Sequence, residues 1–133
     1  MHPLYPKADT ISRDVIGGAI EVHRLKGPGL VESIYEKCME RELGLRKMGT
    51  RRQGVVPVEY KGWTFEEPLR LDLLVEECLL LELKSVEKTL PVHKAQLLSY
   101  MKLIDIPLGL LINFHEMELI DGVHRLILPG ANE

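Results

Sequence analysis

The segment from Arg70 to Glu87, RLDLLVEECLLLELKSVE, constrains the fold of this chain more than any other. It is rich in leucine and valine and contains neither proline nor glycine, a composition typical of a buried β-hairpin. Three ionisable residues interrupt it: Asp72, Glu82 and Lys84. Burying a charged side chain costs several kcal/mol unless a partner or a metal compensates. These three residues are therefore the first candidates for a functional site.

The turn of this hairpin decides whether Asp72 lies near Glu82. Side chains alternate between the two faces of a strand, so the pairing register sets which of them meet. A two-residue turn at 76–77 points Asp72 away from Glu82. A three-residue loop pairs Val75 with Leu79 and sets Asp72 opposite Glu82, and a bulge has the same effect. If the two acids act together, the second arrangement must hold.

The length of 133 residues fits one domain, 1–133, which we expect to begin with an irregular arm over residues 1–9. The net charge of -3 gives no general attraction to nucleic acid or to an anionic membrane. Two cysteines are too few for a zinc or iron–sulfur site. The N-terminus has no basic segment followed by an apolar run, and no uncharged stretch reaches about 18 residues. We therefore expect no membrane insertion and a cytoplasmic location.

The rest of the chain alternates helical and strand patterns. Helices are expected over about 9–26, 30–47 and 91–104, and strands over 55–60, 63–65, 106–114 and 123–128. The loop 49–54 carries Arg51 and Arg52, which we expect to be solvated, with phosphate contact as the lesser alternative. The acidic and proline residues at 66–68 predict a bulge or an interruption of the strand. The apolar run 106–114 is expected to join the same sheet as the central hairpin through a right-handed crossover.

Three further polar residues have helical spacings that admit two interpretations. Glu32 lies on an apolar side of the second helix, yet the pattern alone favours a first-turn glutamate stabilised by the helix dipole. Gln96 and Tyr100 are spaced i, i+4 and project from one face of the later helix. By themselves they indicate only a hydrogen-bonded surface pair.

Two converging carboxylates beside a lysine suit several chemistries. An internal salt-bridge network is one, but one lysine does not balance two acids. A divalent cation would balance the two acids. Oxygen ligands suit Mg²⁺ or Mn²⁺, and these ions assist phosphodiester hydrolysis. Glycoside hydrolysis ranks far lower because only 5% of the residues are aromatic. Zinc chemistry ranks lower still because the five histidines show no ligand spacing.

The motifs together resemble a known family. Asp72, followed by Glu82-x-Lys84, resembles the signature of the PD-(D/E)XK nuclease superfamily, although Leu71 stands where the signature has proline. Gln96-x-x-x-Tyr100 resembles the Q-x-x-x-Y motif of its RecB-like branch. Gly29-x-x-Glu32-x-x-Tyr35 resembles the motif of the small GxxExxY proteins. The resemblance extends over roughly residues 10–128.

The resemblance implies an α/β, restriction-endonuclease-like core with a central mixed sheet flanked by helices. It implies that Asp72, Glu82 and the Leu83 carbonyl bind Mg²⁺ or Mn²⁺, that Glu32 assists, and that Lys84 activates water. Gln96 and Tyr100 would shape the site. The implied activity is a metal-dependent nuclease acting on DNA in preference to RNA. The rival is an inactive module of the same fold that binds nucleic acid, assembles or regulates, and either one could be a homodimer.

Overall fold

The computed structural model describes all residues, Met1–Glu133. The three helices are α1 (Tyr5–Lys26), α2 (Glu32–Leu45) and α3 (Pro91–Ile104). The five strands are β1 (Thr50–Tyr60), β2 (Trp63–Val75), β3 (Leu79–Lys84), β4 (Leu108–Asn113) and β5 (Val123–Ile127), and a short 3₁₀ helix, Leu119–Gly122, precedes β5. None of the helices combines the length and the hydropathy that crossing a bilayer requires.

One mixed sheet forms the centre of the molecule, with the strands in the order β1-β2-β3-β4-β5. The pairing of β3 with β4 is parallel, and the other three pairings are antiparallel. The expected α/β architecture, a mixed sheet flanked by helices, is confirmed. Helix α3 connects the parallel pair, because two parallel neighbours cannot be joined by a tight turn.

Two apolar clusters cover the two faces of the sheet. The larger joins α1 and α2 to one face, and the smaller joins α3 to the other. In β3 the residues Leu79, Leu81 and Leu83 belong to the larger cluster, whereas Leu80 belongs to the smaller. Strands β3 and β4 are buried on both faces, which explains why their sequences are nearly continuous apolar runs.

The turn of the central hairpin is the three-residue loop at 76–78. Val75 pairs with Leu79, which confirms the three-residue loop; the paired register ends at Leu73–Leu81, one residue short of Asp72 and Glu82. Glu76 and Glu77 have positive φ angles of 51° and 55°, a conformation that non-glycine residues adopt rarely. Their carboxylates are held from β1 and the turn before it, because Gly49 N–H donates to Glu76 (2.9 Å) and Arg51 donates to Glu77 (2.8 Å).

Several sequence expectations are corrected by the fold. The irregular arm over 1–9 was wrong from Tyr5 onward, because Pro6 lies in the first turn of α1, where its missing N–H has no helical partner to lose. The loop expected at 49–54 is instead strand from Thr50. Strand β2 continues through 66–68 without interruption, since proline is tolerated on an edge ribbon.

Candidate active site

The candidate site lies where β2 and β3 separate. The two strands pair at only three positions, from Val75–Leu79 to Leu73–Leu81, and then diverge. At the same level β2 contains a bulge against β1: Arg51 pairs with Leu74 and Gln53 pairs with Arg70, so that two steps along β1 match four along β2. The bulge opens a fork between the strands.

Asp72 lies in this bulge and reaches across the fork to β3. Its Oδ2 accepts a hydrogen bond of 2.7 Å from the Leu83 backbone N–H. The Lys84 carbonyl faces β4, where it accepts from Phe114 N–H at 2.8 Å. Because the N–H and C=O of one strand residue point to the same neighbour and alternate along the strand, the Leu83 carbonyl faces the fork together with its N–H.

Glu82 and Lys84 lie on the β3 side of the fork. They share the face of the sheet occupied by Leu80 and α3, because their neighbours Leu81 and Leu83 point to the other face. The Lys84 ammonium is 3.4 Å from a Glu82 carboxylate oxygen, and their side chains are only 18% and 14% exposed. The three residues of the signature therefore meet in a largely desolvated place.

The electrostatics of the fork favour a positive charge. Burial, and next the negative charge of Glu82, raises the pKa of Asp72, while the Leu83 N–H and Lys84 act in the opposite direction. Burial also raises the pKa of Glu82, and Lys84 lowers it. The carboxylates of Glu32 and Glu36 add to the rise for Glu82. Lys84 is thus insufficient to neutralise the acids around it.

Helix α2 brings two of these acids to the fork from the other side of the sheet. Glu32 lies in its first turn, as the sequence pattern predicts, and Glu36 follows one turn later. Burial, and next the charge of Asp72, raises the pKa of Glu36, whose carboxylate lies 3.9 Å from Arg70. Sequence analysis missed Glu36, although its i, i+4 relation to Glu32 was a signal that could have found it.

A second residue that sequence analysis misjudged is Arg52, which lies opposite the bulge on β1. The sequence predicts a solvated side chain, but only 21% of the Arg52 side chain is exposed. Its Nε lies 3.2 Å from a Glu40 carboxylate oxygen, and the geometry does not allow a hydrogen bond between them. The charge of Arg52 lowers the pKa of Glu36. Arg52 therefore offsets part of the acidic charge that α2 contributes.

The first turn of α2 is positioned by Tyr35. Its hydroxyl donates to the Gly27 carbonyl (2.6 Å) and accepts from Leu30 N–H (3.0 Å), and its ring stacks on Phe114 at 4.3 Å between centroids. Gly29 supplies a φ of 88°, which a side chain at that position would strain. The glycine turn and the tyrosine together fix the place where Glu32 enters the helix.

The end of β3 is held by a buried amide. Asn113 is fully buried at the end of β4 and pairs with Lys84 in the parallel register. Its Oδ1 accepts from Val86 N–H (3.1 Å) and His115 N–H (3.2 Å), and its Nδ2 donates to the Val86 carbonyl (2.9 Å). These bonds tie the chain leaving Lys84 to β4, so Asn113 fixes the backbone from which the lysine projects.

Gln96 and Tyr100 lie on α3, which covers the face of the sheet that also carries Glu82 and Lys84. Gln96 is exposed and makes no side-chain hydrogen bond, and Tyr100 packs against the smaller cluster. No hydrogen bond joins either residue to the acids. Gln96 and Tyr100 therefore lie on the same side of the sheet as the fork, but no hydrogen bond links them to its residues.

The donor set of the fork fits a hard divalent cation. It offers two carboxylates, of Asp72 and Glu82, and the backbone carbonyl of Leu83, all of them oxygen ligands. No three histidine, cysteine or acidic side chains group closely enough to form a complete cage. Mg²⁺ commonly binds through one or two carboxylates and keeps several waters, so a complete cage is not required.

The arrangement is that of a nuclease fold: a mixed sheet whose forked central strands present Asp, Glu-x-Lys and a helix glutamate. A family model described as the PD-(D/E)XK nuclease superfamily matches residues 9–126, and the chain belongs to that superfamily. Nucleases of this superfamily generally use divalent metal ions, and membership supports nuclease activity and nucleic-acid substrates in general terms. The restriction-endonuclease-like core is thereby confirmed.

The chain also resembles a solved structure described as the crystal structure of SSO0001, with 17% identity and a TM-score of 0.42. The match covers 89% of this chain and 77% of that chain. No curated protein matches the chain.

Proposed function

We propose that this protein is a nuclease that hydrolyses phosphodiester bonds with the help of Mg²⁺ or Mn²⁺, and that its substrate is DNA in preference to RNA. The observation that carries the proposal is the meeting of Asp72, Glu82 and Lys84 at the fork, with more acid than base. Asp72, Glu82 and the Leu83 carbonyl would hold the metal, and Glu32 would assist from α2. Membership of the GxxExxY proteins is part of this proposal, supported by Gly29, Glu32 and Tyr35 acting as one structural unit.

When bound, the metal would supply Lewis acidity and neutralise negative charge on the phosphoryl group. The chain's own residues have distinct tasks around it. Lys84, 3.4 Å from Glu82, is placed to orient the attacking water and to take part in moving its proton. Glu82 keeps the lysine in place, and Asp72 keeps the fork in register through Leu83 N–H. Gln96 and Tyr100, on the same side of the sheet, would border the substrate.

The test is a nuclease assay on single- and double-stranded DNA and on RNA, with Mg²⁺ or Mn²⁺ and with chelator. Asp72→Asn, Glu82→Gln and Lys84→Met should each lower the rate by at least about a hundredfold, as expected for groups acting on a reacting atom. Glu59→Gln, which changes an exposed acid far along β1, should leave the rate unchanged. Equal rates in all four variants and wild type would exclude the fork from the chemistry.

The second candidate is an inactive module of the same fold that binds nucleic acid, assembles or regulates. The net charge of -3 and the small chain favour it, because little surface remains outside the core to hold a duplex. Self-association could supply that surface in either case. Calorimetric titration with Mg²⁺ or Mn²⁺ separates the two candidates. Absence of binding at millimolar metal, with folded protein that still binds nucleic acid, would favour the inactive module.

A further inference from the structure

The hairpin formed by residues 53–70 of β1 and β2, here called the hairpin arm, extends beyond the sheet. Strand β3 pairs with β2 only from Leu73 onward, so the two strands of the hairpin arm pair only with each other. An isolated two-stranded ribbon is marginally stable in water, because it has no second layer on which to bury side chains. A surface that covers the hairpin arm would therefore stabilise it.

One face of the hairpin arm is apolar. Directly opposite residues of an antiparallel pair share a face, and the pairs Val58–Phe65 and Tyr60–Trp63 lie on the same face as Leu71. Six apolar residues form what we call the apolar arm face: Val56, Val58, Tyr60, Trp63, Phe65 and Leu69. The other face carries polar residues, prolines and Val55.

The apolar arm face is only partly covered within the chain: Val56, Val58, Phe65 and Leu69 are half-buried, whereas Tyr60 and Trp63 at its tip are exposed. None of its six residues packs against either core cluster, and Tyr60 and Trp63 are 61% and 63% exposed. The rings of Trp63 and Phe65 contact each other at 4.6 Å between centroids. The chain has one tryptophan, four tyrosines and two phenylalanines, and one of each lies here. A contiguous apolar patch of this kind marks an interaction surface.

The charges beside the patch indicate what covers it. Lys61, at the tip, lies 5.4 Å from the Tyr60 ring, and Glu67 lies toward the base of the same face. Neither residue forms an ion pair within the chain, and neither do Glu59 and Glu66 on the other face, whereas Arg51, Arg70 and Lys84 nearer the core of the sheet do. In a two-fold arrangement with the ribbons antiparallel, Lys61 of each copy comes opposite Glu67 of the other. The same axis stacks Tyr60 and Trp63 of one copy over Val58 and Phe65 of the other.

We infer that the apolar arm face binds a second copy of this chain face to face, as an isologous dimer. This assignment gives a surface to the self-association proposed above, and it does not depend on the nuclease chemistry. A nucleic acid fits the face less well, because the attraction of Lys61 for phosphates is offset by Glu67 on the same face and by Glu59 and Glu66 on the opposite one.

The expected dimer is weak. Covering two aromatic rings that are about three-fifths exposed, with the smaller residues beside them, hides on the order of 400 Å² per copy, so about 800 Å² in total, which is below the size of stable specific interfaces and in the range of weak, transient ones. The association should therefore depend on concentration in the accessible range. It would leave both forks open, because the covered residues lie between 56 and 67, beyond the bulge.

The test is sedimentation equilibrium of the full chain without metal or nucleic acid, so its outcome is independent of any nuclease activity. Trp63→Glu should weaken dimerisation by at least about tenfold. Val55→Glu is the matched control, because Val55 is also 63% exposed and lies on the opposite face; its dimerisation should equal wild type. Circular dichroism and thermal midpoints establish that both variants are folded.

A charge exchange tests the two-fold arrangement. Lys61→Glu and Glu67→Lys should each weaken the dimer, and the double variant should restore it. A wild-type chain that stays monomeric at the highest soluble concentration would overturn the inference, as would equal weakening by Trp63→Glu and Val55→Glu. A monomer whose binding to a single-stranded oligonucleotide is lost in Trp63→Glu would assign the face to nucleic acid instead.

Discussion

Replacing Asp72 by asparagine should stabilise the metal-free protein at neutral pH and abolish its stabilisation by metal. Burial and Glu82 raise the pKa of Asp72, so the folded protein binds that proton more tightly than the unfolded chain does. The resulting stability is present below the ordinary pKa of an aspartate and is lost as the pH rises through the raised value. At pH 7 the ionised carboxylate therefore destabilises the fold.

The magnitude follows from the charges around Asp72. Asp72 and Glu82 face each other across the fork without being a paired position, and unit charges about 6 Å apart repel by about 3 kcal/mol at an effective dielectric constant near 20. Lys84, one pleat farther along, attracts Asp72 by about 2 kcal/mol on the same scale. The net gain on removing the charge is about 1 kcal/mol, or about 4 °C in the thermal midpoint for a chain of this size.

In Asp72→Asn the side-chain amide oxygen can still accept the hydrogen bond of the Leu83 N–H. This substitution therefore removes the charge of Asp72 and keeps its hydrogen bond. Asp72→Leu removes both, so it should be less stable than Asp72→Asn by about 1–3 kcal/mol, the cost of a buried N–H without an acceptor. The exposed Asp14→Asn serves as the control and should match wild type. The difference between wild type and Asp72→Asn should vanish in acid, where the aspartate is neutral.

The assay is thermal unfolding by circular dichroism at several pH values, with chelator and with Mg²⁺ or Mn²⁺. Metal at ten times its dissociation constant should stabilise wild type by about 1.4 kcal/mol and Asp72→Asn by much less. The reasoning is refuted if metal-free Asp72→Asn is less stable than wild type at pH 7. It is also refuted if metal stabilises both proteins equally.

Three further substitutions probe how the site is held, each measured by chemical denaturation. Asn113→Ala should lower the unfolding free energy by about 3 kcal/mol, because three hydrogen bonds are lost at a fully buried position; an unchanged midpoint would mean that the chain after Lys84 is not held by this amide. Tyr35→Phe should cost about 1–2 kcal/mol, because it removes both hydroxyl bonds and keeps the ring stacking on Phe114. Gly109→Ala should cost about 1–3 kcal/mol, since its Cβ would lie 2.6 Å from the Met101 sulfur; no loss would show that α3 moves aside freely.

The sequence was sufficient to predict the order of the helices and strands and to identify the signature residues, because both follow from local patterns. Buried strands have runs of leucine in their sequences, and a charged residue within such a run is easy to detect. The hairpin register could only be stated as alternatives, since the loop at 76–78 contains no glycine to identify it. Its positive φ angles are sustained by Gly49 and Arg51, which are distant in sequence.

Residues whose environment is set by another element were not predictable in this way. Arg52 has the local composition of a solvated loop, yet helix α2 covers it. Pro68 suggested an interruption of β2, but the hairpin arm has open edges where a missing N–H is tolerated. Nothing in the sequence around Asn113 shows that its amide holds Val86, because that contact joins segments 27 residues apart.

The bulge at Asp72 links the candidate site to the hairpin arm. In a regular strand Leu71 and Leu73 would share a face, but Leu71 belongs to the smaller cluster and Leu73 to the larger. The alternation of side chains between the two faces of β2 therefore shifts by one residue at Asp72. The same irregularity opens the fork that the Leu83 backbone N–H faces and turns the apolar arm face toward the α3 side. Restoring regular pairing would both close the fork and turn the aromatic residues of the hairpin arm to the opposite side, so the two features depend on one local distortion of β2.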